Sequence, residues 1–247
     1  REFAVVKHAR AMLFTTEEEM RLAAQSFRPY TCRPAVVGYG TSGPPRSHEA
    51  LTAEFRNEAA EWGQKPYLLY MGRIQEKKGV DLLLHAYGEI RRGRPDIPEL
   101  VIAGTAHDPT YLTMLREKFP QDGVHWVGHV SGPLKWQTLA TAEAMVLVSH
   151  QENFGIVVAE ALSVATPVLI SNKVNIWREI KAANAGIIVD DDLAGAKRLL
   201  LEWLNLRSET KREMSAAAAD TFRRNFDIRS STRKLLQQIS QDENAKP

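Results

Sequence analysis

This chain of 247 residues is 44% hydrophobic and 25% charged, the composition of a globular protein with a sizeable buried core. Its 32 basic and 30 acidic residues leave a net charge of +2, so no overall field favours binding to nucleic acid. The single cysteine, Cys32, excludes an internal disulfide and a thiolate zinc site, and it favours a reducing compartment.

The sequence also lacks the patterns that send a chain to or across a membrane. No apolar run approaches the ~18 to 20 residues that span a bilayer, and Arg1–Arg10 lacks the apolar core of a signal peptide. We therefore expect a cytoplasmic protein without a transmembrane segment, with peripheral contact to the inner face of a membrane as an open alternative. The chain starts without methionine, and we interpret its start as a fragment boundary.

Residues 1–48 are predicted to be the end of a preceding α/β domain and a linker. Ala11–Phe27 has the pattern of a strand followed by a helix that is capped near Thr16, with three glutamates in its first turn. A second strand-like run, Ala35–Tyr39, leads into Gly40–Ser47, whose glycine, proline and serine content is typical of a linker.

Residues 49–225 are predicted to form one α/β domain. From Tyr67 onward, short apolar runs alternate with segments of helical period, the pattern of repeated strand-helix units. Runs that are apolar throughout indicate a parallel sheet buried on both faces, so a doubly wound, Rossmann-like fold is expected. The predicted strands are Tyr67–Met71, Leu100–Ala103, Val124–Val127, Met145–Ser149, Pro167–Ile170 and Gly186–Val189.

Helices are predicted between these strands and after the last of them. After Val189 the chain becomes helical to its end, and residues 226–247 are assigned to a C-terminal helix and tail. The predicted helices are Val80–Arg91, Tyr111–Phe119, Pro133–Ala140, Gly155–Val164, Ile176–Ala182, Leu193–Asn205, Ser208–Asn225 and Ile228–Ser240.

Two loops that leave strands carry the candidate chemistry, because open parallel sheets bind ligands at the carboxyl ends of their strands. The first loop runs from Gly72 to Gly79 after the first strand of the domain. Arg73 offers a forked cation for a phosphate and Lys78 a point charge. Spacing alone leaves a surface loop with solvated charges as an equal alternative.

The second loop, Ser149–Gly155, runs into a helix that carries Glu160, and Glu152 lies within the loop. Free N–H groups at the start of that helix favour an anion, for which a diphosphate is a natural candidate. Eight residues at 1.5 Å rise separate the two glutamates by about 12 Å, which suits two ends of a nucleotide-sugar. The alternative is that Glu152 caps the helix and Glu160 is solvated.

At these residues the chain resembles the glycosyltransferase family 4 (group 1) enzymes of the two-domain GT-B type. The family pattern of Gly-Arg followed by Lys-Gly is matched by Gly72, Arg73, Lys78 and Gly79. Its paired glutamates, with seven residues between them, are matched in the stretch Glu152–Glu160. Val101–Gly104 and Thr166–Val168 are also similar to family members, so the resemblance covers about residues 67–189.

The resemblance implies a retaining hexosyltransferase whose donor is a UDP- or GDP-sugar and whose acceptor is a glycan or a lipid-linked molecule. Residues 49–225 would be its donor-binding domain. Arg73 and Lys78 would neutralise the departing diphosphate, and Glu152 would lie near the donor sugar on the reacting side. No cofactor and no metal are expected. The remaining implied donor-binding residues are Gly72, Gly104, Asn153, Phe154, Gly155 and, at the ribose hydroxyls, Glu160.

The chain departs from the family pattern in three places. Ala106 stands where the family often has a glycine, and Ala165 where it usually has one. Ser171–Glu179 replaces a segment that carries a glycine pair in many members. This last difference lies in the loop that faces the sugar, so the identity of the sugar stays open.

Length is the largest departure, since family members have two Rossmann-like domains and bind the acceptor in the N-terminal one. We expect the acceptor half to be missing and the chain alone to be inactive, because a cleft between two halves orients both substrates. Two alternatives stay open: a nucleotide-sugar epimerase of GT-B shape, and a non-catalytic interaction domain that kept the fold. Asp190–Asp192 is interpreted as a helix cap in preference to a metal motif.

Overall fold

Two parallel β-sheets of very different size organise the chain, one with two strands and one with six. The computed structural model describes residues 2–26, 31–45, 59 and 62–244, and these counts refer to them. The smaller sheet precedes the larger one in the chain, as the sequence predicts.

The smaller sheet contains β1 (Met12–Phe14) and β2 (Pro34–Val36), with Met12 opposite Pro34. It is accompanied by α1 (Glu2–His8), which the sequence pattern does not predict, and by α2 (Glu17–Ser26). A seven-residue helix is too short to show a clear helical period.

The predicted cap of α2 is confirmed. The Thr16 hydroxyl accepts a hydrogen bond from the Glu19 N–H at 2.9 Å, and the Glu19 carboxylate accepts from both the N–H and the hydroxyl of Thr15 at 2.7 Å. These reciprocal bonds satisfy N–H groups that the first helical turn leaves free. The last residue of the predicted segment, Phe27, lies outside the described residues.

The larger sheet confirms the doubly wound prediction. Its strands lie in the order β5-β4-β3-β6-β7-β8, and every neighbouring pair is parallel. All residues of the four central strands are buried, because helices cover both faces of the sheet. The strands are β3 (Tyr67–Met71), β4 (Glu99–Ala103), β5 (Val124–Gly128), β6 (Ala144–Leu147), β7 (Val168–Ser171) and β8 (Gly186–Val189).

Helices connect these strands and continue after β8. A short 3-10 turn, Glu76–Lys78, precedes the first of them, and a π-helical turn, Phe222–Phe226, follows the last one before the C-terminal helix. The helices are α3 (Val80–Gly93), α4 (Pro109–Lys118), α5 (Gly132–Thr141), α6 (Ile156–Ser163), α7 (Trp177–Ala182), α8 (Leu193–Asn205), α9 (Ser208–Thr221) and α10 (Ile228–Asn244).

Several element boundaries differ from the sequence prediction, and two of them have a local reason. The strand predicted to reach Ser149 ends at Leu147, because the Ser149 hydroxyl makes loop hydrogen bonds to the carbonyls of Lys77 and Gln151. The helix predicted to reach Asn225 stops at Thr221. The π-helical turn that replaces its end buries two phenylalanines, Phe222 and Phe226.

The segment after β2 is attached to the C-terminal helix. Thr41 forms a parallel bridge with Asp227; its N–H donates to the Phe226 carbonyl at 3.0 Å and its carbonyl accepts from the Ile228 N–H at 3.2 Å. Thr41, Gly40 and Gly43 of the predicted linker are therefore held against the rest of the chain, while Ser42 and Pro45 are exposed. Over the part of the chain that the structure describes, no helix has the length and apolar character needed to cross a bilayer.

Candidate functional site

The chain order of the larger sheet reverses between β3 and β6, and the loops that leave these two strands meet there. The His150 N–H and the Ser149 hydroxyl both donate to the Lys77 carbonyl at 2.9 Å. In open α/β sheets this point forms a crevice at the carboxyl ends of the strands, where ligands bind. The two loops singled out in the sequence are thus brought together.

Lys78 and Glu152 form an ion pair across this crevice, one from each loop. The Lys78 side chain is 11% exposed and the Glu152 side chain 21%, so solvent screens the pair only in part. Glu152 makes no capping hydrogen bond to α6. The alternative that this residue is merely a helix cap is therefore excluded.

Two glycines allow the loops to approach each other. Gly79 has a left-handed backbone with φ of 64°, and a Cβ atom there would overlap the Val148 carbonyl oxygen. A Cβ atom at Gly104, after β4, would overlap the carbonyl oxygen of Gly72. Only glycine fits such contacts without a shift of the backbone. These residues shape the floor of the crevice with their backbones.

Arg73 lies in the first loop with its side chain exposed to solvent. The buried hydroxyl of Tyr70 donates to the Arg73 carbonyl at 2.7 Å and fixes the backbone of this residue. Burial raises the pKa of the Tyr70 phenol, the nearby Tyr111 and Glu152 raise it further, and Arg73 opposes this rise. Among the residues that the structure describes, no carboxylate pairs with the Arg73 guanidinium, so this cation is free to meet an anionic ligand.

The second loop ends in a turn that presents backbone N–H groups. Gly155 precedes α6 with a left-handed φ of 74°. Within the described ranges, the N–H groups of residues 154–157 donate to no protein atom. Free N–H groups at a helix start, combined with the helix dipole, favour a phosphate or another anion.

Asn153 and Phe154 tie this turn to its surroundings. Asn153 donates to the Glu19 carboxylate at 3.1 Å and accepts from Asn175 at 3.3 Å. The buried Phe154 ring packs edge-on against Tyr39 at 5.1 Å and Phe226 at 5.7 Å. Phe154 therefore anchors the turn by packing, which leaves its backbone as the part that could face a ligand.

A cavity of about 400 Å³ opens beside this turn. Its lining combines Thr15 and Tyr39, which follow the strands of the smaller sheet, with the turn and the first residues of α6. This volume lies in the range of small-molecule sites. The cavity is lined by Thr15, Tyr39, Glu152, Asn153, Phe154, Gly155, Ile156 and Val157.

Glu160, on α6, does not join the Lys78–Glu152 pair. Its carboxylate accepts a hydrogen bond from the Lys135 ammonium of α5 at 2.7 Å, and its side chain is 13% exposed. The alternative of a solvated Glu160 is therefore excluded. Glu152 and Glu160 thus each pair with a lysine, Glu152 between the two loops and Glu160 between α5 and α6.

The three carboxylates of the acidic run Asp190–Asp192 contact different partners. Asp192 caps α8 by accepting from the Gly195 N–H at 2.6 Å. Asp191 accepts from the His150 ring at 2.8 Å, and Asp190 accepts from Asn172 at 2.6 Å. Within the described ranges, no three His, Cys, Asp or Glu side chains cluster as a metal site would require.

Lys135 and Glu19 are site residues that the sequence does not predict. Lys135 belongs to no loop motif, and Glu19 lies 134 positions before the Asn153 that it contacts. Both contacts depend on how separate elements pack, so no local spacing indicates them. The only sequence signal for Glu19 is its place in an acidic first turn.

A family model described as glycosyl transferases group 1 matches residues 52–221. The match covers more than half of the chain and includes every predicted site residue from Gly72 to Glu160. This chain belongs to the group 1 glycosyltransferases. The loops that meet between β3 and β6 are therefore part of a glycosyltransferase domain.

This group 1 glycosyltransferase is similar to several known proteins. D-inositol 3-phosphate glycosyltransferase of Paenarthrobacter aurescens is 30% identical over 186 residues, which cover 70% of this chain and 45% of that protein. The chain spans about half the length of the curated relatives it matches.

Solved structures support the fold. Sucrose-phosphate synthase of Thermosynechococcus elongatus superposes with a TM-score of 0.80 at 19% identity, over 99% of this chain and 61% of that one. The Anabaena protein HepE, in complex with UDP and glucose, gives 0.74 at 14% identity over 96% and 64% of the two chains. At such identities the likeness shows the GT-B fold of this glycosyltransferase.

Proposed function

We propose that this chain supplies the donor site of a retaining hexosyltransferase, which moves a hexose from a UDP- or GDP-sugar to a glycan or lipid-linked acceptor. The observation that carries the proposal is the crevice between β3 and β6, whose two loops carry a free arginine, a lysine–glutamate pair and unbonded N–H groups. These groups match the phosphates and hydroxyls of a nucleotide-sugar.

Each group has a role in this proposal. The bond from the anomeric carbon to the diphosphate breaks with its electron pair on the diphosphate, and Arg73, Lys78 and the N–H groups before α6 stabilise that charge. Glu152 accepts hydrogen bonds from the donor sugar, and Glu160 accepts from the ribose. Retention of configuration and independence of metal are inferred from the family resemblance.

The acceptor is proposed to approach from the side of the smaller sheet. Thr15 and Tyr39 line the cavity together with the turn that carries the N–H groups. An acceptor hydroxyl would reach a donor bound at that turn through this cavity. Support for a UDP-sugar comes from the Anabaena structural relative, whose crystal structure contains UDP and glucose. The proposal assigns residues 49–225 to donor binding.

Calorimetric titration with UDP and with GDP, in EDTA, tests the donor site. Arg73→Ala and Glu160→Ala are each expected to weaken binding of the preferred diphosphate by about tenfold, the loss of one charge-assisted hydrogen bond. The Arg73→Ala effect grows as the salt concentration falls, since that contact is ionic. Matched controls are Arg212→Ala and Glu209→Ala, which remove an exposed ion pair on α9.

Saturable binding in EDTA that is lost in the two site variants and kept in the two controls would support the proposal. Equal affinity in all five proteins would refute the assignment of the site. If neither diphosphate binds to the wild-type chain, a non-catalytic interaction domain becomes the better explanation of the fold.

A further inference from the structure

Lys135 pairs with Glu160, the proposed ribose ligand, as Lys78 pairs with Glu152. Its ammonium donates to Glu160 at 2.7 Å, and its side chain is 24% exposed. The ammonium also lies 4.3 Å from the centroid of the buried Trp136 ring, which holds it beside the carboxylate. The family motif does not include this residue.

The lysine has donors to spare in this arrangement. An ammonium carries three N–H donors, and in the described part of the chain Glu160 is its one hydrogen-bond acceptor. Glu160 likewise has a second carboxylate oxygen for which the structure gives no protein donor. A partner with both a donor and an acceptor can therefore bond to each member of the pair.

A ribose hydroxyl is such a partner, since it donates one hydrogen bond and accepts others. We propose that Lys135 is a second ribose-binding residue, which donates to the hydroxyl that Glu160 accepts from and so makes the site selective for ribonucleotides over deoxyribonucleotides. This inference rests on the proposed donor site. Removal of either the hydroxyl or the lysine would remove the same hydrogen bond.

The test measures the affinity of the preferred diphosphate, UDP or GDP, against its 2′-deoxy and 3′-deoxy forms. Wild type is expected to prefer the ribonucleotide over at least one deoxy form by roughly tenfold or more. Lys135→Met retains the apolar stem and is expected to lose most of that preference, with little change for the disfavoured deoxy form. Lys135→Arg keeps the positive charge and is expected to keep most of the preference for the ribonucleotide.

The chain offers a closely matched control in Lys211 of α9. Its ammonium pairs with Glu143 at 3.0 Å, lies 4.5 Å from the Trp203 centroid and belongs to a side chain that is 26% exposed. Glu143 precedes the amino end of β6, at the opposite edge of the sheet. Lys211→Met removes the same two interactions and is expected to leave the ribose preference unchanged.

Each outcome decides the inference. A ribonucleotide preference that survives in Lys135→Met would overturn the inference. Affinities that fall equally for the diphosphate and both deoxy forms would also overturn it, because a purely structural lysine affects the three nucleotides alike. Tighter binding by Lys135→Met would also overturn it and would show that the lysine competes with the ribose. Binding of no nucleotide by wild type would instead overturn the proposed donor site.

Discussion

A single residue after α6 shows a conflict between side chain and backbone. Ala165 has a left-handed φ of 62°, and it stands where the resembled family usually has glycine. The conformation is imposed by the helix end, where the N–H groups of Ala165 and Thr166 donate to the Leu162 and Ala161 carbonyls. For a residue with a Cβ atom, the left-handed conformation costs about 1 to 2 kcal/mol.

Ala165→Gly is therefore expected to stabilise the protein. Relief of the left-handed backbone outweighs the added freedom of glycine in the unfolded chain, for a net gain of about 0.5 to 1 kcal/mol. The measurement is the free energy of unfolding from urea titration. Ala216→Gly, within the right-handed helix α9, should have the opposite sign and cost about 1 kcal/mol. A loss of stability in Ala165→Gly would contradict this account of the strain.

At the scale of elements, the start of α2 is held to α7 by a buried carboxylate. Glu18 pairs with Arg21 of its own helix at 2.5 Å and with Arg178 of α7 at 2.9 Å. Hydrogen bonding to Arg21, followed by the contacts with Arg178, lowers the pKa of Glu18 to about 2 against the opposing effect of burial. The pair thus connects the smaller sheet to the segment after β7.

Glu18→Gln is expected to lower the free energy of unfolding by about 1 kcal/mol at pH 7, since both arginines are half exposed and partly screened. Because folding lowers the pKa of Glu18 from 4.5 to about 2, its contribution is complete above pH 5 and disappears as the pH falls towards 2. Urea titrations of wild type and variant at pH 7, 4 and 2.5 would show the difference shrink.

The control for this pH dependence is Glu209→Gln, which breaks a mostly solvent-exposed pair with Arg212 at the same helical spacing as Glu18 and Arg21. Its effect should be small at every pH. If the Glu18→Gln difference stayed constant down to pH 2.5, the assigned pKa of Glu18 would be wrong.

Across the whole molecule, Phe154 connects the two sheets and the candidate site. Its ring packs between Tyr39, which follows β2, and Phe226 of the π-helical turn. The backbone of the same residue begins the run of free N–H groups before α6. The position of the turn that we propose binds the phosphates is thus coupled to the packing of Tyr39 and Phe226.

Phe154→Ala is expected to lower the free energy of unfolding by about 3 to 5 kcal/mol, as for other buried aromatics. Under conditions where the variant is folded, it is also expected to weaken UDP or GDP binding by at least several-fold. Phe119→Ala removes a ring of similar burial near the amino end of β5. It should lower stability to a similar extent with nucleotide affinity intact. Calorimetry measures the nucleotide affinity of each variant, and thermal unfolding measures its stability. Equal nucleotide affinities in Phe154→Ala and Phe119→Ala would argue against coupling between the packing of Phe154 and the site.

Much of the fold could be predicted because its signals are local. The apolar runs at Tyr67–Met71 and Gly186–Val189 match strands residue for residue. Tyr67–Met71 is buried on both faces, which requires apolar side chains throughout, whereas β8, at the edge of the sheet, is fully buried only at alternate residues. The Thr16 and Asp192 caps form within three residues of their partners. The spacing of Arg73 and Lys78 after a strand likewise points to one edge of the sheet.

The contacts that define the candidate site depend on tertiary structure. Lys135 meets Glu160 because α5 packs against α6, and Glu18 meets Arg178 across 160 positions of chain. No period or spacing in the sequence encodes these partners, since they follow from the angles and distances at which helices pack on the sheet. The sequence by itself determined the strands, the caps and the two charged loops; only the fold decided which charges meet.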